Sequence, residues 1–512
     1  MKKVLSLVLA LVMVMCMAAC GNTAEGSAAS GGTAAGGKRD TTTVTIAFSS
    51  EPASMTWWDN EEMASIYSAY LTNSFLMKID PDTMEPIPDL AESVETISDS
   101  EYVFHLRKGV LFHHGKEFKA EDVVATYSLI VQYPGSSPYV SSISSVEALD
   151  DYTVKFTMNG PYPNLCYDLA YKYWFILPAD LIAEGHDFAA EPVGTGPFKM
   201  AEWSKGDYIV YERFADYWNK DETPGVEKLI WKVIPEGASR TIALQTGEVD
   251  MVYEVETADI QRIKDDSNLT LKEVTSVENY CLTFNNDVAP FNDVNFRNAV
   301  AYGIDRDAIV AGALDGYAIP NGTSIALGYW GSCEDGAFTY DVDKAKAYLA
   351  AWGGDPSTVS MPILAWSEQL TRVATIIQAN MADLGIKVDV VECDTATFSS
   401  LRASGNYSAG LSYWSPSNAF SYIIRYDSSK RASVKGACND AKVDELIAQI
   451  KTTVDDNARL KLIEECVRRV NKIAQQPSLY QPTTFRAYNK DLAGLKFTAH
   501  GYFDFSNIHW QS

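Results

Sequence analysis

Short stretches in which apolar and polar residues alternate recur through the chain and predict β-strands. The alternation is clear at residues 102–106, 152–158, 208–214 and 229–234. Each stretch is rich in aromatic and β-branched residues, which suit a strand that is half buried. A further strand is predicted over residues 386–391, directly after Gly385.

Between these strands, apolar residues three or four positions apart predict helices. One helix is expected to begin at Ala120, to bury Val123, Tyr127 and Ile130 on one face, and to end before the Pro134-Gly135 turn. The alternation of short strands with helices favours an α/β architecture with mixed sheets. Further helices are predicted at residues 239–246, 296–302, 342–352, 371–384, 440–453 and 456–475.

The longest apolar run lies at the N-terminus and predicts export. Two lysines precede sixteen uncharged residues, 4–19, a length that is short for a membrane-spanning helix of ~20 residues but typical of a secretion signal. Residues 21–39 follow, and fifteen of these nineteen are Gly, Ala, Ser or Thr. We therefore expect a signal peptide over residues 1–19 and a flexible tether over residues 20–40.

The junction of these two segments reads Met17-Ala18-Ala19-Cys20-Gly21, and it resembles a bacterial lipobox. In that motif the cysteine is diacylated and becomes the new N-terminus, and two acyl chains are enough for stable anchoring. The alternative is a free cysteine in a discarded signal peptide. We expect an exported protein that lipidated Cys20 anchors to the outer face of the cell membrane, or in the periplasm.

Charge and length narrow the class of protein. Removing residues 1–19 takes away two of the 42 Lys+Arg and none of the 67 Asp+Glu, which leaves a formal charge of −27. Nucleic-acid binding needs a basic face, so we expect no nucleic-acid partner. The remaining 493 residues are too many for one compact core and predict two or three domains.

Common motifs of catalysis and metal binding do not occur in the sequence. H-E-x-x-H and G-x-S-x-G are both missing, and the six cysteines beyond Cys20 are at least 28 residues apart. Adjacent His113 and His114 would point to opposite faces of a strand and could not easily share a metal. We expect no enzyme, no cofactor and no metal; a secreted acidic hydrolase that uses two distant carboxylates is the alternative. The cysteines leave both disulfides and buried free thiols open.

Five blocks of sequence follow one another in order over roughly residues 44–500. They are PDLAES at 88–93 with the segment 104–130, VGTGPFKMAEW at 193–203 with the segment to 251, APFNDVNFRNAVAYGIDRDAIV at 289–310, YDVDKAKAYLAAWG at 340–353, and QANMADLGIKVDVVE at 378–392. In order and spacing they resemble the family 5 extracellular solute-binding proteins, the peptide- and nickel-binding receptors of ABC importers.

The resemblance implies a bilobed Venus-flytrap fold with a ligand buried between two closing lobes. Lobe I would comprise residues 41–78, 191–280 and 486–512, with an inserted subdomain at 79–190, and lobe II would comprise residues 281–485. The implied function is that of a monomeric receptor without bond chemistry. It would capture a small solute, here a peptide, and deliver it to an ABC permease.

A ligand site is also implied by the resemblance. In the family, the segment after the fifth block carries a tryptophan and then an aspartate that holds the α-ammonium group of a peptide. Trp414 matches the tryptophan, but Ser417 stands at the position of the acid. Either another acid substitutes for it, or the ligand is a sugar, a modified peptide, a small anion or another non-peptide solute.

The remaining implied site residues fall into three groups, of which Tyr413 and Asn418 of the same segment are the first. Arg372, which we expect to open the helix predicted over 371–384, and Arg425 are the cations for a ligand carboxylate. Phe48, Glu51 and Trp57 follow the first strand, where the N-terminal loop of the family reaches the cleft. The full implied set for ligand binding is Tyr413, Trp414, Ser417, Asn418, Arg372, Arg425, Phe48, Glu51 and Trp57.

Overall fold

The computed structural model describes residues 40–59, 62–416 and 418–511. The predicted signal peptide, the tether before residue 40, Cys20 and Ser417 lie outside the described residues. The predicted α/β class with mixed sheets is confirmed, because strands and helices alternate and the largest sheet contains both parallel and antiparallel pairs.

In chain order, the strands are β1 (Thr43–Phe48), β2 (Met77–Ile79), β3 (Pro86–Pro88), β4 (Ala91–Ser98), β5 (Glu101–Leu106), β6 (Ile143–Asp150), β7 (Thr153–Met158), β8 (Phe198–Ser204), β9 (Tyr208–Arg213), β10 (Lys228–Val233), β11 (Met251–Val252), β12 (Leu269–Thr275), β13 (Asn279–Phe284), β14 (Ala318–Pro320), β15 (Ser360–Ala365), β16 (Lys387–Glu392), β17 (Ala409–Trp414), β18 (Ser478–Asn489), β19 (Leu492–Ala493), β20 (Lys496–Phe497), β21 (Phe503–Asp504) and β22 (His509–Trp510).

The α-helices of the described residues are α1 (Met63–Thr72), α2 (Ala120–Ile130), α3 (Ser137–Val140), α4 (Leu165–Leu169), α5 (Ala179–Glu184), α6 (Gly237–Thr246), α7 (Ile260–Lys264), α8 (Val294–Gly303), α9 (Arg306–Ala313), α10 (Val342–Trp352), α11 (Glu368–Ala382), α12 (Thr395–Ser404), α13 (Ala419–Ile423), α14 (Ala441–Thr452) and α15 (Asp456–Lys472).

Twelve strands form the largest sheet, and β18 divides it into two halves. We call β8, β9, β10, β1, β11 and β12 the first half-sheet, and β14, β13, β17, β15 and β16 the second half-sheet. Residues 478–482 of β18 pair with β13 and β14, whereas residues 483–489 pair with β12 and β11. The halves therefore meet at residues 482 and 483 of β18, and the chain also crosses between them at residues 276–278. The exact division into lobes stays a prediction.

The three largest of the five apolar cores in the described residues flank these sheets. The first core joins β1, β10 and α1 to the separate four-stranded sheet β4-β5-β7-β6, and it includes Phe48 and Trp231. The second core lies between β13, β15 and β17 and the helices α8, α9 and α11. The third core is built from α13, α14 and α15, and Met84 from the N-terminal part of the chain also belongs to it.

Local signals explain where the helices begin and end. α10 occupies the predicted residues 342–352, because Asp341 caps its first turn and Gly353 takes a left-handed conformation at φ 77°. α11 begins at Glu368 rather than at residue 371, since the Ser367 hydroxyl accepts a hydrogen bond from the Leu370 amide. The prediction that Arg372 opens this helix is therefore wrong: Arg372 lies in its second turn.

Two further findings concern the described residues as a whole. Cys166, Cys281, Cys333, Cys393, Cys438 and Cys466 are all free thiols, so the alternative of unpaired cysteines holds in this structure. Among the helices that the structure describes, none combines the length and the apolar character that a membrane span requires.

Candidate ligand-binding site

Three tyrosines form a continuous aromatic row across the middle of the sheet. Tyr413 of β17 stacks on Tyr280 of β13 with ring centroids 5.1 Å apart, and Tyr280 stacks on Tyr480 of β18 at 4.7 Å. The strand registers explain the row, because Tyr280 lies directly opposite both partners. The row begins with the buried ring of Tyr480 and ends with Tyr413, which is 40% exposed.

Trp414 occupies the other face of β17, because successive side chains of a strand point in opposite directions. It is 43% exposed, and the guanidinium of Arg425 lies 5.1 Å from its ring centroid. Arg425 also lies 5.2 Å from the ring of Tyr422 and 5.4 Å from that of Tyr426. No carboxylate of the described residues approaches Arg425 closely enough for an ion pair. An exposed indole thus stands beside a cation surrounded by aromatic rings.

Pro416 and Asn418, which follow Trp414 in the chain, are both held by hydrogen bonds. The Pro416 carbonyl accepts hydrogen bonds from the Tyr329 hydroxyl and from Nε2 of His500, the latter at 3.0 Å. Asn418 is buried, and its side-chain oxygen accepts a hydrogen bond from the Ser421 amide at 2.9 Å, which caps α13. Pro416 is thus held by residues from distant parts of the chain, and Asn418 is held by the helix that it caps.

The three residues predicted from the N-terminal loop lie within or against the first core. Phe48 is buried and stacks on Trp231 at 3.6 Å. Trp57 is 2% exposed and packs edge-on against Phe175 at 5.0 Å. The Glu51 carboxylate accepts hydrogen bonds from Trp203 Nε1 at 2.8 Å and from the Gly206 amide at 2.9 Å. These contacts do not join the three residues to Tyr413 or Trp414, and their ligand role stays a prediction.

Arg372 lies on the surface of α11. Its side chain is 49% exposed and pairs with Glu368 at 3.4 Å, one helical turn earlier. It also donates a hydrogen bond to the Ala313 carbonyl at 3.3 Å. None of these contacts brings Arg372 to the aromatic row. The structure places Tyr413 and Trp414 at one strand end with Arg425 beside Trp414, and Asn418 caps the helix that follows.

Sequence reasoning missed Glu278, which the structure places directly before β13. Its carboxylate is partly buried, and burial raises its pKa above the ordinary value of 4.5. β13 begins with Asn279 opposite Trp414, so Glu278 lies next to the candidate site. The sequence carries no local signal for Glu278 as a site residue, because it acquires its neighbours across the sheet only through the pairing of β13 with β17.

A cavity of about 80 Å³ lies inside the first core, beside His500 and the rings of Tyr70 and Tyr502. The Lys78 ammonium on its wall pairs with Asp504 at 3.5 Å, and it also pairs with Glu222. The charged groups of this cavity are thus satisfied within the protein. None of the predicted site residues that the structure describes lines it, and the candidate site remains the aromatic row with Trp414 and Arg425.

Comparison with known proteins shows to which protein family this chain belongs. The model of the bacterial extracellular solute-binding proteins, family 5 Middle, matches residues 85–433. The chain therefore belongs to the family 5 extracellular solute-binding proteins. This finding confirms the resemblance in the sequence, and the solved relatives below confirm the bilobed fold class.

Among individual relatives, the dipeptide-binding protein of Escherichia coli K12 is 28% identical over 466 residues, which cover 83% of this chain and 86% of the relative. HbpA2 from Haemophilus parasuis is similar in fold, with a TM-score of 0.83 at 23% identity over 92% of this chain and all of that chain. AgaA from A. tumefaciens R10, solved with agropinic acid, is 28% identical with a TM-score of 0.74, over 92% of this chain and 99% of that chain.

Proposed function

We propose that this chain is the extracellular receptor of an ABC importer, which binds a peptide at the aromatic row and delivers it to the permease. The observation that carries the proposal is the exposure of Tyr413 and Trp414 on adjacent positions of one strand end. Large aromatic side chains are normally buried, and an exposed ring beside a cation, as Trp414 is beside Arg425, is suited to ligand binding. The name of the dipeptide-binding relative supports a peptide as the ligand.

The receptor would act as a monomer and would close two lobes on its ligand. The lobes would follow the half-sheets, with lobe I at residues 41–78, 191–280 and 486–512, the subdomain at 79–190 inserted in it, and lobe II at residues 281–485. Closure expels water from the cleft, which strengthens the polar contacts to the ligand. Binding and release then require no bond chemistry.

Native mass spectrometry of residues 40–512 tests the proposal. The freshly purified protein is measured first for a retained solute, and then with an equimolar library of unblocked di- to pentapeptides. A peptide complex is the expected result. A protein that binds no member of the library contradicts the peptide proposal, and one that hydrolyses glycosides contradicts the receptor itself.

A non-peptide solute is the second candidate for the same fold. Two observations favour it: Ser417 stands where the family carries an acid, and one relative was solved with agropinic acid. A retained sugar, modified peptide or small anion in the native mass spectrum would support this candidate. Melting temperatures with a solute panel give a second measurement, since ligand at 100 times its Kd adds ~2.7 kcal/mol of stability.

Anchoring by a lipid on Cys20 completes the proposed function. A tethered receptor stays at a high local concentration near its permease, and the residues up to 40 would leave it free to turn. The variant Cys20→Ser should be released from the membrane fraction into the soluble fraction. Membrane association that persists in this variant would contradict the lipid anchor.

A further inference from the structure

Glu278 carries a carboxylate that no cation of the described residues neutralises. Its backbone amide donates to the Ser276 hydroxyl at 3.0 Å, but the carboxylate takes part in no ion pair or hydrogen bond with a described residue. Burial raises the pKa of the group, and no neighbouring charge offsets this effect. A partly buried carboxylate without a partner is costly, so its retention calls for an explanation.

Strand register places Glu278 beside the exposed aromatic residues. Asn279 lies opposite Trp414 and Tyr280 lies opposite Tyr413, so continuation of the register brings Glu278 opposite Ser415. Because side chains alternate along a strand, Glu278 extends to the same face as Tyr280. It therefore lies at the end of the second half-sheet, opposite Ser415.

A second polar group near Glu278 also lacks a partner. The Tyr480 side chain is fully buried, yet its hydroxyl has no hydrogen-bond partner among the described residues. Burial is the main cause of the raised pKa of Tyr480, and the negative charge of Glu278 is the second. The same charge also contributes to the raised pKa values of Tyr280 and Tyr329. Tyr480 lies directly opposite Tyr280, and Glu278 precedes Tyr280 by two positions, so the carboxylate and the orphan hydroxyl belong to the same face of the sheet.

The Glu278 carboxylate and the Tyr480 hydroxyl together suit an ammonium group of a ligand. An ammonium carries three N–H donors and a positive charge, so it can donate to a carboxylate and to a hydroxyl oxygen at the same time. Aromatic faces nearby attract the same charge. A carboxylate or phosphate of a ligand would instead be repelled by Glu278.

We propose that Glu278 and the Tyr480 hydroxyl, flanked by the rings of Tyr280 and Tyr413, bind the ammonium group of the ligand. This inference rests on the proposed function and specifies its ligand class: a solute with a free primary amine. Glu278 would supply from β13 the acid that position 417 lacks.

The test compares Glu278→Gln with a matched control, Glu368→Gln, whose side chain is 90% exposed on α11 of the same half. The probes are the peptide that wild type binds most strongly from the unblocked library and its N-acetylated form, measured by isothermal titration calorimetry. Loss of a charge-assisted hydrogen bond should weaken binding of the unblocked peptide by about 10- to 100-fold. We expect that loss in Glu278→Gln, none in Glu368→Gln, and a similar loss for wild type with the acetylated peptide.

A stability measurement separates ligand binding from a structural role. Ligand-free Glu278→Gln should melt at the same temperature as wild type or higher, because the substitution removes a buried charge without a partner. A lower melting temperature would reveal a structural partner and overturn the inference.

The outcomes distinguish this inference from the proposed function. Wild type that binds the unblocked peptide, with Glu278→Gln binding it equally well, overturns the inference alone. Equal affinity of wild type for the acetylated peptide does the same. Wild type that binds no peptide of the library overturns the proposed function and this inference with it.

Discussion

Two tryptophans of the predicted site show why residue type alone does not define a binding residue. Trp57 is 2% exposed and packs in the first core, whereas Trp414 is 43% exposed at a strand end. Both positions follow from the same resemblance in the sequence. Burial separates them, since an exposed ring contributes little to folding and stays available for a ligand.

The substitution Trp414→Ala should therefore affect binding far more than folding. We expect peptide affinity to fall by at least about tenfold, as for a hot-spot residue, while the free energy of unfolding changes by less than about 1 kcal/mol. Titration calorimetry and urea unfolding provide the two measurements. Tyr340→Ala is the control, because Tyr340 is 44% exposed outside the candidate site; an equal loss of affinity in both variants would argue against a ligand role for Trp414.

At the scale of elements, the sequence predicts local structure well and long-range pairing poorly. The strand predicted over residues 102–106 is β5, and the helix predicted over residues 342–352 is α10. Both depend on periodicity and caps, which are local. α11 begins three residues before its predicted start, because the prediction from periodicity did not include Ser367 as the cap. The sequence did not predict β18, because the strands that pair with it in both half-sheets lie more than 150 residues away along the chain.

The candidate site follows the same rule. Its segment at residues 413–418 was predicted from the family resemblance, and no periodicity in the chain would have indicated it. Glu278 was not predicted as a site residue, because only the pairing of β13 with β17 brings it close to that segment. Phe48 was predicted as a site residue, yet it stacks in the first core, because the strand that precedes the loop is buried on both faces.

Gln481 of β18 links several elements at the junction of the two half-sheets through its side-chain hydrogen bonds. Its buried side chain donates to the carbonyls of Ser276 and Leu327, at 2.8 and 3.2 Å, and accepts from the Leu327 amide at 2.7 Å. It thus ties β18 both to the crossing at residues 276–278 and to the loop after β14.

Gln481→Leu should destabilise the protein by about 2–4 kcal/mol, because it leaves buried backbone groups without partners. The measurement is urea unfolding followed by circular dichroism. Gln449→Leu is the control: Gln449 lies exposed on α14, where its amide contacts only Glu445, and we expect a change below about 0.5 kcal/mol. Similar effects of the two variants would show that the bonds of Gln481 contribute little.

For the whole molecule, two buried histidines predict a dependence of stability on pH. Burial lowers the pKa of His113 and of His500 from 6.5 to about 4. The unfolded chain then binds more protons than the folded protein below pH 6.5, so stability is lost as the pH falls from 6.5 towards 4. The rings of Tyr171, Tyr329 and Tyr502 pack on His500 and its Nε2 contacts the Pro416 carbonyl, whereas no carboxylate of the described residues forms an ion pair with it.

His500→Gln should reduce this acid sensitivity. From the two pKa values of His500, we expect wild type to lose about 2 kcal/mol more than the variant between pH 7 and pH 5. Urea unfolding at both pH values gives the difference. His186→Gln is the control for the loss of an imidazole as such, since His186 is only partly buried and its Nε2 contacts the Glu191 carbonyl at 2.8 Å. A variant of His500 with the same pH dependence as wild type would contradict the assignment.

Contacts between distant parts of the chain also bear on how the receptor would close. Met84 follows β2 in the N-terminal part, yet it is 5% exposed and belongs to the third core, together with residues of α13 and α15. Tyr162 likewise packs edge-on against Phe420 of α13, with centroids 6.3 Å apart. These apolar contacts do not include the three rings of the aromatic row, and they would be broken if the two proposed lobes separated to admit a ligand. They would therefore stabilise a closed form without contacting a ligand bound at the row.

Met84→Ala should weaken ligand binding although Met84 lies outside the candidate site. The apparent Kd equals the intrinsic Kd divided by the populated fraction of the competent form, so loss of closing contacts should raise it by about tenfold. Met158→Ala is the matched control: Met158 is 4% exposed in β7 and belongs to the first core alone, so its substitution should lower the melting temperature but leave the Kd unchanged. Small-angle scattering of the ligand-free proteins should show a larger radius of gyration only for Met84→Ala. If both variants bind with the same Kd, the contacts of Met84 do not govern closure, and the stability of the closed form must come from the ligand itself.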